Sequence, residues 1–160
     1  MAEDIKNLSM NIVVDDGSRR VPILNMNGEE IGAFTFHPTD LGIIKRYNEL
    51  VNDFDRVVEP LEAVTAGDDA AADVSDPKYA EAMREAEGRL YEAVDRLLGG
   101  SGAAEAFFGK MSPFSPVNGE FYCAGVLNAV GEYIGAQFEA ETARFGEKAK
   151  KYAKKAAKRP

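Results

Sequence analysis

The residues of this chain that could do chemistry are few and far apart. His37 is the only histidine and Cys123 the only cysteine among 160 residues. One histidine and one remote cysteine form no ligand set at the spacing of a zinc or transition-metal site. A Cys–His nucleophile pair is formally open, but nothing in the spacing brings the two together. His37 stands just before Pro38-Thr39-Asp40 and reads as a boundary between two elements. Cys123 follows two aromatic residues in a helical stretch, where a thiol is usually buried and inert.

Other candidate motifs fail on their own terms. Gly109-Lys110-Met111-Ser112 resembles the end of a phosphate-binding loop, yet the motif's first glycine would fall at Ala104 and Met111 separates the lysine from the serine. No GxSxG, GxGxxG or HExxH occurs. Glu29-Glu30 flank a turn and read as solvated. The acidic stretch Thr65–Asp76 lacks the alternating carboxylates, central glycine and distal glutamate of a calcium loop. The residues therefore point to a protein that is not an enzyme, with no cofactor and no metal.

The elements around these residues follow from composition and spacing. The length suits one domain with a sizeable core, and 45% apolar with 29% charged residues is ordinary for a folded chain. No apolar run approaches the roughly 20 residues needed to cross a bilayer. The start, MAEDIKNLSM, lacks the order of a signal peptide, so the expected location is the cytoplasm and the Asn7-Leu8-Ser9 sequon reads as chance. From Glu147 to Pro160 there are six lysines and one arginine against one glutamate, a net of +6. Residues 1–146 then hold 12 basic and 26 acidic side chains, a net of −14, which argues against general nucleic-acid binding.

Strands are expected over about 11–36. Asn11–Val14 is one candidate, and two further arms flank Asn27-Gly28, the strongest short hairpin signal because a type I′ turn needs positive φ at both central residues. Phe34 and Phe36 share one face of the second arm, which a helix must cover. Helices are expected over about 40–146. The first has Thr39 or Asp40 as its cap, a seam of Ile44, Tyr47, Val51, Phe54, Val58 and Leu61, and Pro60 as its kink or end. An exposed acidic loop over 65–76 follows. Asp76-Pro77 opens a second long helix with the stripe Tyr79, Met83, Ala86, Leu90, Val94 and Leu97, ended by Gly99-Gly100 and paired antiparallel with the first. Ser101 caps a short helix over Ala103–Lys110. A third long helix starts near Asn118 or Gly119, with Gly125, Gly131 and Gly135 inside it to admit a close neighbour. The sum is α+β and mostly helical. A short N-terminal hairpin of two or three strands packs on three long helices and one short one, a single domain over 1–146 followed by a basic helical tail over 147–160.

The short helix and the third long one are joined by an aromatic block. Phe107 and Phe108 precede an extended Ser112–Pro116 elbow, Phe114 lies inside it, and Phe121 follows. Aromatics at such a corner are usually core, here the docking point of the last helix; the alternative is a fixed elbow that presents a partner-binding surface. In the tail, Phe145, Ala149, Tyr152 and Ala156 share a helical face with lysines around it. That suits a helix end whose cations complement the dipole, the favoured reading, or electrostatic capture of an acidic partner or of nucleic acid.

Read together, NGEEIGAFTFHPTDLGIIKRYNELV, the acidic linker and EAFFGKMSPFSPVNGEFYCAGVLNAV resemble a family of small proteins from tailed phages and prophages of Gram-positive bacteria. In size, acidic body and order of elements that family is similar to the tail assembly chaperones of long-tailed phages. The resemblance implies a host-cytoplasmic protein that binds the tape-measure protein, the tail-tube protein or both, and in which a translational frameshift often adds a C-terminal extension. Its rival is a structural virion component, a tail-tube or connector subunit; a homo-oligomer is open under either. For the chaperone, a groove between helices with Phe107, Phe108, Phe114 and Phe121 as anchors is the expected binding surface.

Overall fold

The computed structural model describes residues 10–65 and 75–157. The Asn7 sequon, almost all of the acidic loop and residues 158–160 of the tail lie outside the described residues. The chain runs β1 (Arg19–Leu24), β2 (Glu30–Phe36), α1 (Leu41–Asn52), α2 (Phe54–Thr65), α3 (Pro77–Leu98), α4 (Ala103–Phe108), β3 (Pro116–Val117), β4 (Glu120–Phe121) and α5 (Tyr122–Ala157). This is the expected α+β arrangement of an N-terminal hairpin on a mostly helical body.

β1 and β2 pair antiparallel, with Val21 opposite Phe34 and Ile23 opposite Gly32. Phe36 is buried, and its ring meets Tyr133 of α5 at 6.0 Å. Gly32 lies directly on the backbone of Ala106 in α4, where any Cβ would collide with the Ala106 carbonyl. The aromatic face is thus covered by α4 and α5. Asn11–Val14 is not a strand: Ile12, Val13 and Val14 are exposed and the sheet has two strands.

The two Asn-Gly pairs behave differently from expectation. At the first, only Gly28 takes a positive φ, so the turn is not type I′. Instead the Asn25 side-chain oxygen accepts the N–H groups of Asn27 and Glu29 at 2.9 and 3.0 Å, and the register slips between Ile23 and Leu24. At the second, Asn118 and Gly119 have φ of 52° and 82°, the sign a type I′ turn requires, and they join β3 to β4. The last helix accordingly starts at Tyr122 rather than at Asn118 or Gly119.

Asp40 caps α1 by accepting the Gly42 N–H at 3.0 Å. The helix then breaks at Asp53, whose N–H closes on the Glu49 carbonyl. Two helices therefore replace the one expected. Ile43 and Leu50 take the core positions of α1, while Ile44 and Val51 point outward; α2 restarts in a new phase that buries Val57 and Val58. Pro60 neither ends nor breaks α2. Its missing N–H leaves the Arg56 carbonyl without a helical partner, and Arg89 of α3 donates to that carbonyl at 2.7 Å. Arg46 reaches the Leu97 carbonyl at 3.1 Å, so α3 runs antiparallel to α1 and α2. α3 matches its expected bounds, with the Asp76 cap, Pro77 in the first turn and Gly99 at the end. Its stripe extends to Ala82 and Leu98, and Leu90 in the middle is fully buried.

α4 has six residues and is held at both ends by other elements. Ser101 is not its cap. Asp95 of α3 accepts the Ala104 N–H at 2.9 Å, and the hydroxyls of Tyr122 and Tyr91 donate to the carbonyls of Phe107 and Phe108 at 3.1 and 3.4 Å. α5, of 36 residues, spans about 54 Å at the usual rise. It crosses the 146/147 boundary without interruption. Of its interior glycines, Gly131 admits a close neighbour: Tyr47 donates to the Leu127 carbonyl at 3.0 Å, and a Cβ on Gly131 would stand 2.6 Å from that hydroxyl.

Candidate functional site

The aromatic block folds into a corner that starts α5. Residues 112–115 form a turn, closed by the Ser115 N–H on the Ser112 carbonyl at 3.1 Å, rather than the extended elbow expected. Two carbonyls of this turn take N–H groups that a helix start leaves unpaired: Ser115 accepts from Tyr122 and Pro113 from Cys123, each at 2.8 Å. Ser112 Oγ donates to Glu87 Oε1 at 2.7 Å and so ties the turn to α3.

This geometry divides the four phenylalanines. Phe108 and Phe114 are 2% and 5% exposed, and their burial leaves them no face for a partner. Phe108 packs against Phe107, Tyr91 and Tyr122. Phe121 is 40% exposed and stands edge-on over Phe114 with ring centres 5.3 Å apart. Phe107 is half-buried. The corner is core on its inner side and open on its outer side.

The outer side is an apolar groove between the β1–β2 hairpin and the first turns of α5. Two adjoining cavities of about 370 and 210 Å³ share Ile23, Leu24, Phe107 and Ala129. The larger reaches Met26, Val117, Phe121 and Val126; the smaller reaches Val21, Phe34 and Tyr133. Leu24 and Met26 are strongly exposed at the rim, with Val117 and Phe121 beside them. From Tyr122 to Tyr133 the groove is roughly 16 Å long, three turns of helix. Leu24, Met26 and Val117 were not singled out by sequence spacing. Their signal is apolar residues beside Asn-Gly turns, where polar ones are usual.

The isolated chemical residues stay isolated. Cys123 is fully buried, and burial pushes its thiol up to about 11, which keeps it protonated and inert at neutral pH. His37 is exposed and its Nε2 lies 2.8 Å from Asp16 Oδ2. That bond, with the Ser18 N–H, holds the Asp16 carboxyl well below the usual carboxylate range. A further cleft between α1, α2 and α3 mixes Arg46, Arg56, Arg89 and Arg96 with Glu49, Asp53 and Glu92. There Arg46 and Arg89 are spent on carbonyls of neighbouring helices. Among the described residues no group of three or more His, Cys, Asp or Glu side chains could hold a metal ion, and no helix is long and apolar enough to cross a membrane. Comparison of the chain with protein-family models, with curated proteins and with solved structures finds no match.

Proposed function

We propose that this chain is a non-enzymatic tail assembly chaperone of a tailed phage or prophage, acting in the host cytoplasm. It binds apolar helical segments of the tape-measure protein, or of the tail-tube protein, before they assemble. The observation that carries this reading is the apolar groove between the hairpin and α5, rimmed by exposed Leu24, Met26, Val117 and Phe121. A groove of that lining and length suits an amphipathic helix laid along it with its apolar face inward. The acidic body keeps a carrier of apolar segments in solution. The resemblance to phage proteins supplies the choice of partner. The anchors are Phe107 and Phe121, with Leu24 and Met26; Phe108 and Phe114 support them from the core.

The test is co-expression with the tape-measure and tail-tube proteins of the same phage, followed by size exclusion with light scattering. A soluble complex that is absent from finished particles is expected. Met26→Glu and Phe121→Glu should each weaken it at least tenfold while leaving circular dichroism unchanged, since both side chains reach solvent. Complex formation indifferent to both changes would remove the groove from the reading. Recovery of the protein in purified particles would favour a virion component instead.

A further inference from the structure

We infer that the outer half of α5 pairs antiparallel with α5 of a second copy of this chain, centred on Phe145. Among the described residues Phe138 is the last hydrophobic side chain of α5 packed on the core. Beyond it Thr142, Phe145, Ala149, Tyr152 and Ala156 recur at alternating three- and four-residue steps. That is the spacing of a seam between two helices, yet Phe145 and Tyr152 are 74% and 69% exposed.

Three observations fix the occupant and its direction. First, the stripe is nearly symmetric about Phe145. An antiparallel copy sets Phe145 against Phe145 and Tyr152 against the half-buried Phe138, each pair equally far from the centre. Second, the inner end of the stripe opens into a groove of about 260 Å³ between α1 and α5, lined by Ile44, Tyr47, Gly131, Gly135 and Phe138. Gly135 has nothing within 4 Å of where a Cβ would stand, so the second helix can approach there. Third, the charges oppose each other. The inner half carries Glu132, Glu139 and Glu141, while the outer half carries Lys148, Lys150, Lys151, Lys154 and Lys155 against the single Glu147. An antiparallel pair lays each basic half beside an acidic one, and a parallel pair would set the lysines against their own copies. Glu141 and Lys148 flank the stripe on the same side at nearly equal distances from its centre, so they meet twice across the pair. Glu141 already holds Arg144 of its own helix at 2.8 Å. A lipid surface fits less well, because alanines make up much of the apolar stripe and leave little area to insert.

The test is sedimentation velocity on the full chain under reducing conditions, from low micromolar to millimolar concentration. The expected result is a reversible dimer of twice 17.4 kDa. Phe145→Glu should weaken it at least tenfold with the fold intact. Glu141→Lys and Lys148→Glu should each weaken it, and the two together should restore it. A monomer at every concentration, or a dimer indifferent to Phe145→Glu, overturns the pairing. Failure of the double charge swap to restore the dimer overturns the antiparallel register. A monomer that sediments with anionic phosphatidylserine vesicles, and loses this with Phe145→Glu, assigns the stripe to a membrane surface instead.

Discussion

Between Tyr122 and Phe138, α5 buries Cys123, Leu127, Val130 and Ile134; between Glu139 and Ala157 the same helix leaves Phe145 and Tyr152 in water. Both halves space their apolar residues at helical intervals, so the stripe alone does not decide burial. What lies opposite decides it. The inner half faces the aromatic corner, the hairpin and Tyr47 of α1, whereas among the described residues the large apolar side chains of the outer half, Phe145 and Tyr152, stay exposed. The composition follows the difference. Gly125, Gly131 and Gly135 weaken the inner half by roughly 2–3 kcal/mol relative to alanine, and tertiary packing offsets that cost. The outer half is rich in alanine and lysine, which hold a helix without packing. It adds an Arg144–Glu141 pair at 2.8 Å and lysines in the last turn that complement the helix dipole.

The largest break in this comparison comes from the packed half. Leu127 is 7% exposed, and its carbonyl accepts the Tyr47 hydroxyl. Leu127→Ala should cost about 2–5 kcal/mol in chemical denaturation, through lost burial and the cavity left behind. A loss below about 1 kcal/mol would mean that the inner half is not docked as described.

A smaller effect appears with pH. At the inner end burial pushes the Cys123 thiol from 9.0 up to about 11, and it raises the phenols of Tyr122 and Tyr47 as well. Below pH 9.0 the thiol keeps its proton in both folded and unfolded chains, and its contribution is fully present. Above that, the unfolded chain loses the proton first, so stability falls until the folded thiol also titrates near 11. The expected loss from the cysteine is roughly 1–3 kcal/mol over that interval. Cys123→Ala should flatten part of the slope in unfolding curves taken across it, and an unchanged slope would place the thiol in water.

How much of this was legible beforehand depended on whether the signal was local. α3 could be read from end to end, because Asp76-Pro77 and Gly99-Gly100 are capping chemistry and the stripe between them is long. The break at Asp53 could not: no proline or glycine marks it, and it shifts the buried face so that Ile44 and Val51 turn outward. Pro60 misled for the opposite reason, since the guanidinium that satisfies the freed carbonyl comes from α3, remote in sequence. The two Asn-Gly pairs are one local signal with two outcomes, decided by the Asn25 side chain at one and by the corner that starts α5 at the other. Of the candidate site, the aromatic cluster was legible as a cluster. Which of its rings face solvent was not, because that depends on α4 being clamped by Asp95, Tyr91 and Tyr122.

The smallest expected effect sharpens the comparison most. Phe145 is 74% exposed, so Phe145→Ala should change the stability of the dilute monomer by no more than about 0.5 kcal/mol, although a phenylalanine is removed. Anything larger would mean that the outer half docks on the body. At high concentration the same substitution should act differently. A helix paired with a second copy binds the folded chain and not the unfolded one, so the melting temperature of the unsubstituted chain should rise with protein concentration. With Phe145→Ala that rise should largely disappear, while Leu127→Ala lowers the curve at every concentration and keeps its slope. Two substitutions in one helix would then separate the contribution of the chain's own core from that of a second molecule. A melting temperature independent of concentration in the unsubstituted chain would leave the outer half a solvated extension.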